Sequence, residues 1–146
     1  MKRPSSTDNP KVGKQRHDLY ESAISAYNNA IHHHYNVEAV ALAESLIADR
    51  MESLANNLSS SKDYSNQTLG VLIRFLKQQN LSSFDGVLLQ IDEWRRKRND
   101  AIHQLAKCLD SDFQVHYSRI RQTAIDGLKC FREFDKQYKR YLRANN

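Results

Sequence analysis

The sequence predicts an all-α protein, an antiparallel bundle of four to five helices. Three observations carry this expectation. The 146 residues include only two Pro and four Gly, while Ala, Leu, Glu, Lys, Gln and Arg are plentiful, which favours helix over sheet. Apolar residues recur with the 3.6-residue period of a helix in one segment after another. The polar stretches between those segments are short, as connections in helical bundles are.

The length is that of one domain with a real core. Residues 1–16 hold both prolines, Pro4 and Pro10, among Ser, Thr, Asn and Lys, and are expected to form a flexible basic arm ahead of a helical domain over 17–146. Nothing at the N-terminus resembles a secretory signal, and no run of about 18 apolar residues would span a membrane. Cys108 and Cys130 have no metal or redox spacing and are expected to be reduced thiols, which points to the cytoplasm.

Helix one is predicted from about 17 to 35 on the stripe Tyr20, Ile24, Tyr27, Ile31, Tyr35. His32, His33 and His34 close it. Adjacent imidazoles diverge on a helix, so the plainer reading is a solvated end where a cation suits the helix dipole. Asn36 is the expected N-cap of helix two, with Glu38 in the first turn. From Val37 to Ala48 this helix is apolar nearly all round, as in a helix buried by its neighbours. Glu44 interrupts that run, and a carboxylate there needs a partner, water or a proton.

A polar loop over 59–65 leads to helix three, about 67–79, striped by Leu69, Leu72, Ile73 and Leu76 and stopped by Asn80 in a left-handed conformation. Ser82 and Asp85 have capping-box spacing and open helix four, which runs to about residue 109. Ser111 and Gln114 repeat that spacing before helix five, the longest, on the stripe Phe113, Tyr117, Ile120, Ala124, Leu128, Phe131, Tyr138, Tyr141. His116 lies beside this stripe and reads as a structural histidine.

The net charge of +5 is unevenly spread. Lys2, Arg3, Lys11, Lys14 and Arg16 against Asp8 account for +4 of it, so the body of the chain is nearly neutral. Basic residues also cluster at Arg95–Arg98 and from Lys129 to Arg143, which is compatible with phosphate binding and equally with ordinary solvated helix faces.

Helix four carries the one conspicuous break in pattern. Its stripe is Val87, Ile91, Trp94, Ala101, Ile102, Leu105 and Cys108, and Arg98 stands where a Leu would be expected. A guanidinium keeps its charge and is rarely buried alone. Glu44 is the candidate partner, and such a pair would make Arg98 a structural cation. A titratable imidazole, His103, follows five residues on. Local rules broken in this way tend to mark functional or strained sites.

The run Arg98-Asn99-x3-His103 resembles the Arg-Asn-x3-His signature of the HEPN superfamily. These are small all-α domains, many of them metal-independent ribonucleases of toxin–antitoxin, phage-defence and CRISPR systems. The architectural likeness covers most of residues 17–143, and the chemical likeness rests on three residues. It implies a HEPN-like bundle that dimerises with two copies of this helix facing one another, each contributing one Arg and one His to a shared cleft. Arg98 and His103 project about 140° apart on a straight helix, so one copy alone makes a poor pocket. Trp94 and Ile102 would serve the interface, although Trp94 fits the core as well.

The residue types suit RNA cleavage without a metal or other cofactor. Histidine titrates near neutrality and serves as base for the 2′-hydroxyl or acid for the leaving 5′-oxygen. The planar guanidinium of Arg98 grips phosphate oxygens with a fixed charge. Asn99 would orient His103 or bind phosphate. The resemblance implies products with a 2′,3′-cyclic phosphate and a 5′-hydroxyl. Glu44 and Asp100 are supporting candidates. Arg95, Arg96 and Lys97 would guide RNA to the cleft, or form a solvated face balanced by Asp92, Glu93 and Asp100.

Relatives that pair with nucleotidyltransferase antitoxins carry a modifiable Tyr two residues after the His, where this chain has Leu105. An antitoxin or other defence protein would therefore act differently here. The alternative functional reading is a catalytically silent HEPN-like module that dimerises and binds RNA or a partner protein. A third is a helical adaptor with a structural Arg–His pair. No Gly-rich phosphate loop, zinc-protease motif, metal-spaced Cys/His set or nucleophile elbow supports another enzyme class.

Overall fold

The computed structural model describes residues 10–108 and 112–145. Those residues are all-helical: α1 (Pro10–His32), α2 (Asn36–Leu58), α3 (Leu69–Gln78), a single 3-10 turn at Ser82–Phe84, α4 (Asp85–Lys107) and α5 (Phe113–Ala144). Among the described residues, no helix is long and apolar enough to cross a membrane.

Cross-links fix the helix directions. Arg16 meets Ser53 and Tyr20 lies under Arg50, so α1 and α2 run antiparallel. Trp94 reaches Thr123 and Phe84 packs on Phe134, so α4 and α5 do too. Asn36 meets Tyr117 and Arg50 meets Asp135, which sets α2 and α5 parallel at the centre of the bundle. The core between α2, α4 and α5 is aromatic and aliphatic: Phe84, Phe131, Phe134, Met51, Leu54, Leu88 and Ile91 are all within 1% of full burial. The short α3 closes one side with Leu72 and Leu76.

Helix α1 begins at Pro10, so residues 10–16 of the expected arm are helical. The reason is tertiary: Arg16 donates to Ser53 Oγ at 2.5 Å and so fastens the first turns to α2. Proline also suits the first turn of a helix. Residues 1–9 lie outside the described residues.

Asn36 does not cap α2. It is 2% exposed, and its side-chain amide donates to the backbone carbonyl of Tyr117 at 3.0 Å, a long-range tie that displaced the local cap. Tyr35 leaves its stripe because α1 ends at His32, and it is 54% exposed. Helix α2 is also not buried all round, since Val37 and Ala41 face solvent. Thr68 caps α3, accepting a hydrogen bond from the Val71 amide. Asn80 stops the next stretch at φ 54°, the left-handed conformation expected of it. Ser82 and Asp85 do not form a capping box, because Ser82 lies in the 3-10 turn and α4 starts only at Asp85. Ser111 of the second expected box lies outside the described residues.

Candidate functional site

Helix α4 divides into two parts. Its first part is anchored by Val87, Leu88, Ile91, Asp92 and Trp94, all buried. Beyond Trp94 no residue of α4 is fully buried, and Ala101, Ile102 and Leu105 are only partly covered. Helix α5 mirrors this, with Ile120 as its first buried residue. The end of α4 and the start of α5 are thus only partly buried, and Arg98–His103 lies on that less covered part of α4.

Trp94 belongs to the core rather than to an exposed interface. It is 4% exposed, and its indole N–H donates to the carbonyl of Thr123 at 2.8 Å. Its ring fills space left open by Gly127: a Cβ at Gly127 would stand 2.7 Å from Trp94 Cζ2.

Arg98 takes the seam position that the periodicity predicts. Its side chain is 20% exposed, and Nη1 donates to Glu44 Oε2 of α2 at 2.7 Å. The guanidinium carbon lies 5.9 Å from the Trp94 ring centroid. Arg98 is therefore held on two sides, by a charge and by an aromatic wall.

His103 is exposed, Asn99 partly exposed and Asp100 exposed. Asn99 and His103 share a flank, while Arg98 turns toward α2, as helical spacing requires. One copy of the chain therefore presents the imidazole and the guanidinium in different directions.

The basic run also splits. Arg95 and Arg96 turn to Asp92: Arg95 Nη2 meets Oδ1 at 3.0 Å and Arg96 Nη2 meets Oδ2 at 3.1 Å. Lys77 of α3 reaches Oδ2 at 3.6 Å. The hydrogen bond from Arg95 is the main cause holding the Asp92 carboxyl below its ordinary 3.8, with Arg96 and Lys77 adding to it. Lys97 belongs elsewhere, lining a hollow of about 280 Å³ between α4 and α5 with Glu93, Trp94, Asp126 and Lys129. The sequence reading has Asp92 balancing this run, and the structure adds Lys77, which is distant in the chain. The signal in the sequence is the i, i+3 and i, i+4 spacing of Asp92 to Arg95 and Arg96.

The three histidines at the end of α1 have separate surroundings. His33 Nδ1 pairs with the Asn29 carbonyl, and its ring stacks on Tyr35. His34, at φ 59°, sits against Arg121, whose Nη1 donates to the Ile31 carbonyl at 2.6 Å. Tyr117 donates to the His34 carbonyl at 2.6 Å. These bonds satisfy the end of α1 and lock the α1–α2 turn to the start of α5.

Compared with protein-family models, curated proteins and solved structures, the chain finds no match in any of the three.

Proposed function

We propose that the protein is a HEPN-like, metal-independent endoribonuclease, a toxin or phage-defence effector, acting as a homodimer. The observation that carries this reading is the setting of the Arg98-Asn99-x3-His103 run: it lies on the less covered half of α4, with the cation held against Glu44 and the imidazole open to solvent. The 2′-hydroxyl of RNA is the nucleophile. One histidine removes its proton, and the partner copy's equivalent histidine protonates the departing 5′-oxygen. Arg98 counters the charge that develops on the phosphate oxygens. Glu44 positions Arg98, and Asn99 orients His103 from the same flank.

Dimerisation at this end is supported by exposed apolar side chains. Tyr35, Val37, Phe113 and Val115 are between 40% and 57% exposed. Phe113 stacks on Tyr117, which binds the turn that carries Tyr35 and Val37, so these residues gather at the motif's end of the bundle. A second copy would cover them and bring the two half-sites together.

The Glu44–Arg98 pair at 2.7 Å favours a second reading. In it Arg98 is a structural cation and the domain is a silent HEPN-like module that binds RNA or a partner protein. The deciding experiment incubates purified protein with RNA in EDTA beside His103→Ala. Cleavage by wild type alone, with cyclic phosphate ends, supports the nuclease. An intact substrate with both proteins, at concentrations where sedimentation shows a dimer, supports the silent module.

A further inference from the structure

One carboxylate gathers three cations at the junction of α3 and α4. Asp92 is 8% exposed, and both its oxygens are engaged. Arg95 closes a fork on Oδ1 through Nε at 3.2 Å and Nη2 at 3.0 Å. Arg96 and Lys77 share Oδ2. The cluster therefore keeps an excess of positive charge after Asp92 is neutralised. Its two outer cations face water: the side chains of Arg96 and Lys77 are 71% and 47% exposed. Because both touch one oxygen, they sit close enough together for neighbouring phosphates of one strand.

The cluster is also aligned with the motif. Asp92, Arg96, Asn99 and His103 fall within about 60° of one another around α4, at 100° per residue. Arg96 and His103 lie about 10 Å apart along the axis, which is roughly three stacked nucleotides of one strand. The line begins beside α3, where Asp92 is buried, and reaches the exposed His103 toward the end of α4.

We propose that Lys77, Arg95 and Arg96, held in place by Asp92, form an anchor for the phosphate backbone of a single-stranded nucleic acid that runs along this face of α4 to His103. Arg96 and Lys77 bind the phosphates, and Arg95 fixes Asp92 between them. Cleavage near His103 rests on the nuclease reading, whereas the anchoring itself does not.

The test uses a fluorescent single-stranded oligodeoxynucleotide, which lacks the 2′-hydroxyl and is not cleaved by this chemistry. Its affinity for the full chain is measured by anisotropy over a series of salt concentrations. Each phosphate contact contributes about 0.7 to the slope of log K against log salt. The Lys77→Gln/Arg96→Gln variant is expected to flatten the slope by about 1.4. The control Arg132→Gln/Lys136→Gln removes the same charge from exposed positions of α5, and it is expected to leave the slope near wild type. Equal flattening by both variants, or by neither, overturns the anchor. Absence of binding by wild type, or binding to anionic vesicles in its place, overturns it too. If the Lys77→Gln/Arg96→Gln variant alone flattens the slope yet wild type leaves RNA intact, the anchor stands and the nuclease reading falls.

Discussion

Arg98 of α4 and Glu44 of α2 form an ion pair at 2.7 Å, with side chains 20% and 31% exposed. They are 54 residues apart in the chain. The pair bridges α2 and α4, which both pack on α5. A partly covered pair of this kind is expected to couple by about 1 kcal/mol. A double-mutant cycle of Glu44→Ala and Arg98→Ala, followed by urea unfolding, measures it. Additive effects would mean that the pair does not hold the helices together.

The same pair separates stability from chemistry. His103 is exposed, so His103→Ala is expected to change stability by no more than about 0.5 kcal/mol. Its effect on RNA cleavage should be a loss of about 10²-fold or more, the contribution of a positioned acid or base. Arg98→Ala should lose both stability and cleavage. If His103→Ala loses helical circular dichroism instead, the histidine is structural.

Gly127 is required by Trp94. A methyl group there would stand 2.7 Å from Trp94 Cζ2, 2.9 Å from Cε2 and 3.0 Å from the Ala43 Cβ. The indole cannot swing aside without giving up its bond to the Thr123 carbonyl. Gly127→Ala is expected to destabilise by about 1–3 kcal/mol, despite the better helix propensity of alanine. Denaturant unfolding gives the value directly. A stabilised variant would show that the α4–α5 seam is looser than it looks.

The two thiols should react very unequally. Burial is the main cause raising the Cys130 thiol to about 11, and the nearby Asp126 adds to it. Cys130 is 5% exposed, whereas Cys108 is partly exposed at the end of α4. Only the thiolate is nucleophilic. At mildly alkaline pH one cysteine, Cys108, is expected to be alkylated in the native protein and both after unfolding. Peptide mass mapping identifies which.

Asp92 ties acid stability to the cation cluster. Its carboxyl is held below 3.8 by Arg95, Arg96 and Lys77, so the folded state favours the carboxylate more than the unfolded chain does. This contribution is complete above the ordinary value and fades as pH falls below it through the folded value. Asp92→Asn should therefore flatten the decline in stability below pH 3.8. Thermal unfolding across that range tests it, and an unchanged acid limb would remove Asp92 as its source.

Residues that act through periodicity could be read directly from the sequence. The all-α class, the order of the five helices, the left-handed Asn80 and the seam position of Arg98 all follow from 3.6-residue spacing and local backbone preference. The chain also put Arg98, Asn99 and His103 on one helix, with the guanidinium and the imidazole facing apart, before any tertiary contact is considered. Long-range competition decided the rest. Asn36 has the chemistry of a cap, yet a carbonyl of α5 bound its amide. Trp94 has the character of an interface residue, yet Gly127 and Thr123 on α5 made room and a partner for it in the core. The partnership of Glu44 with Arg98 could be suspected from composition, but only the packing of both α2 and α4 on α5 brought them to 2.7 Å. Lys77 joined Asp92 because α3 folds back across α4, which no local spacing records. Helical periodicity sets which way each side chain points, whereas the choice of partner depends on which helices pack together.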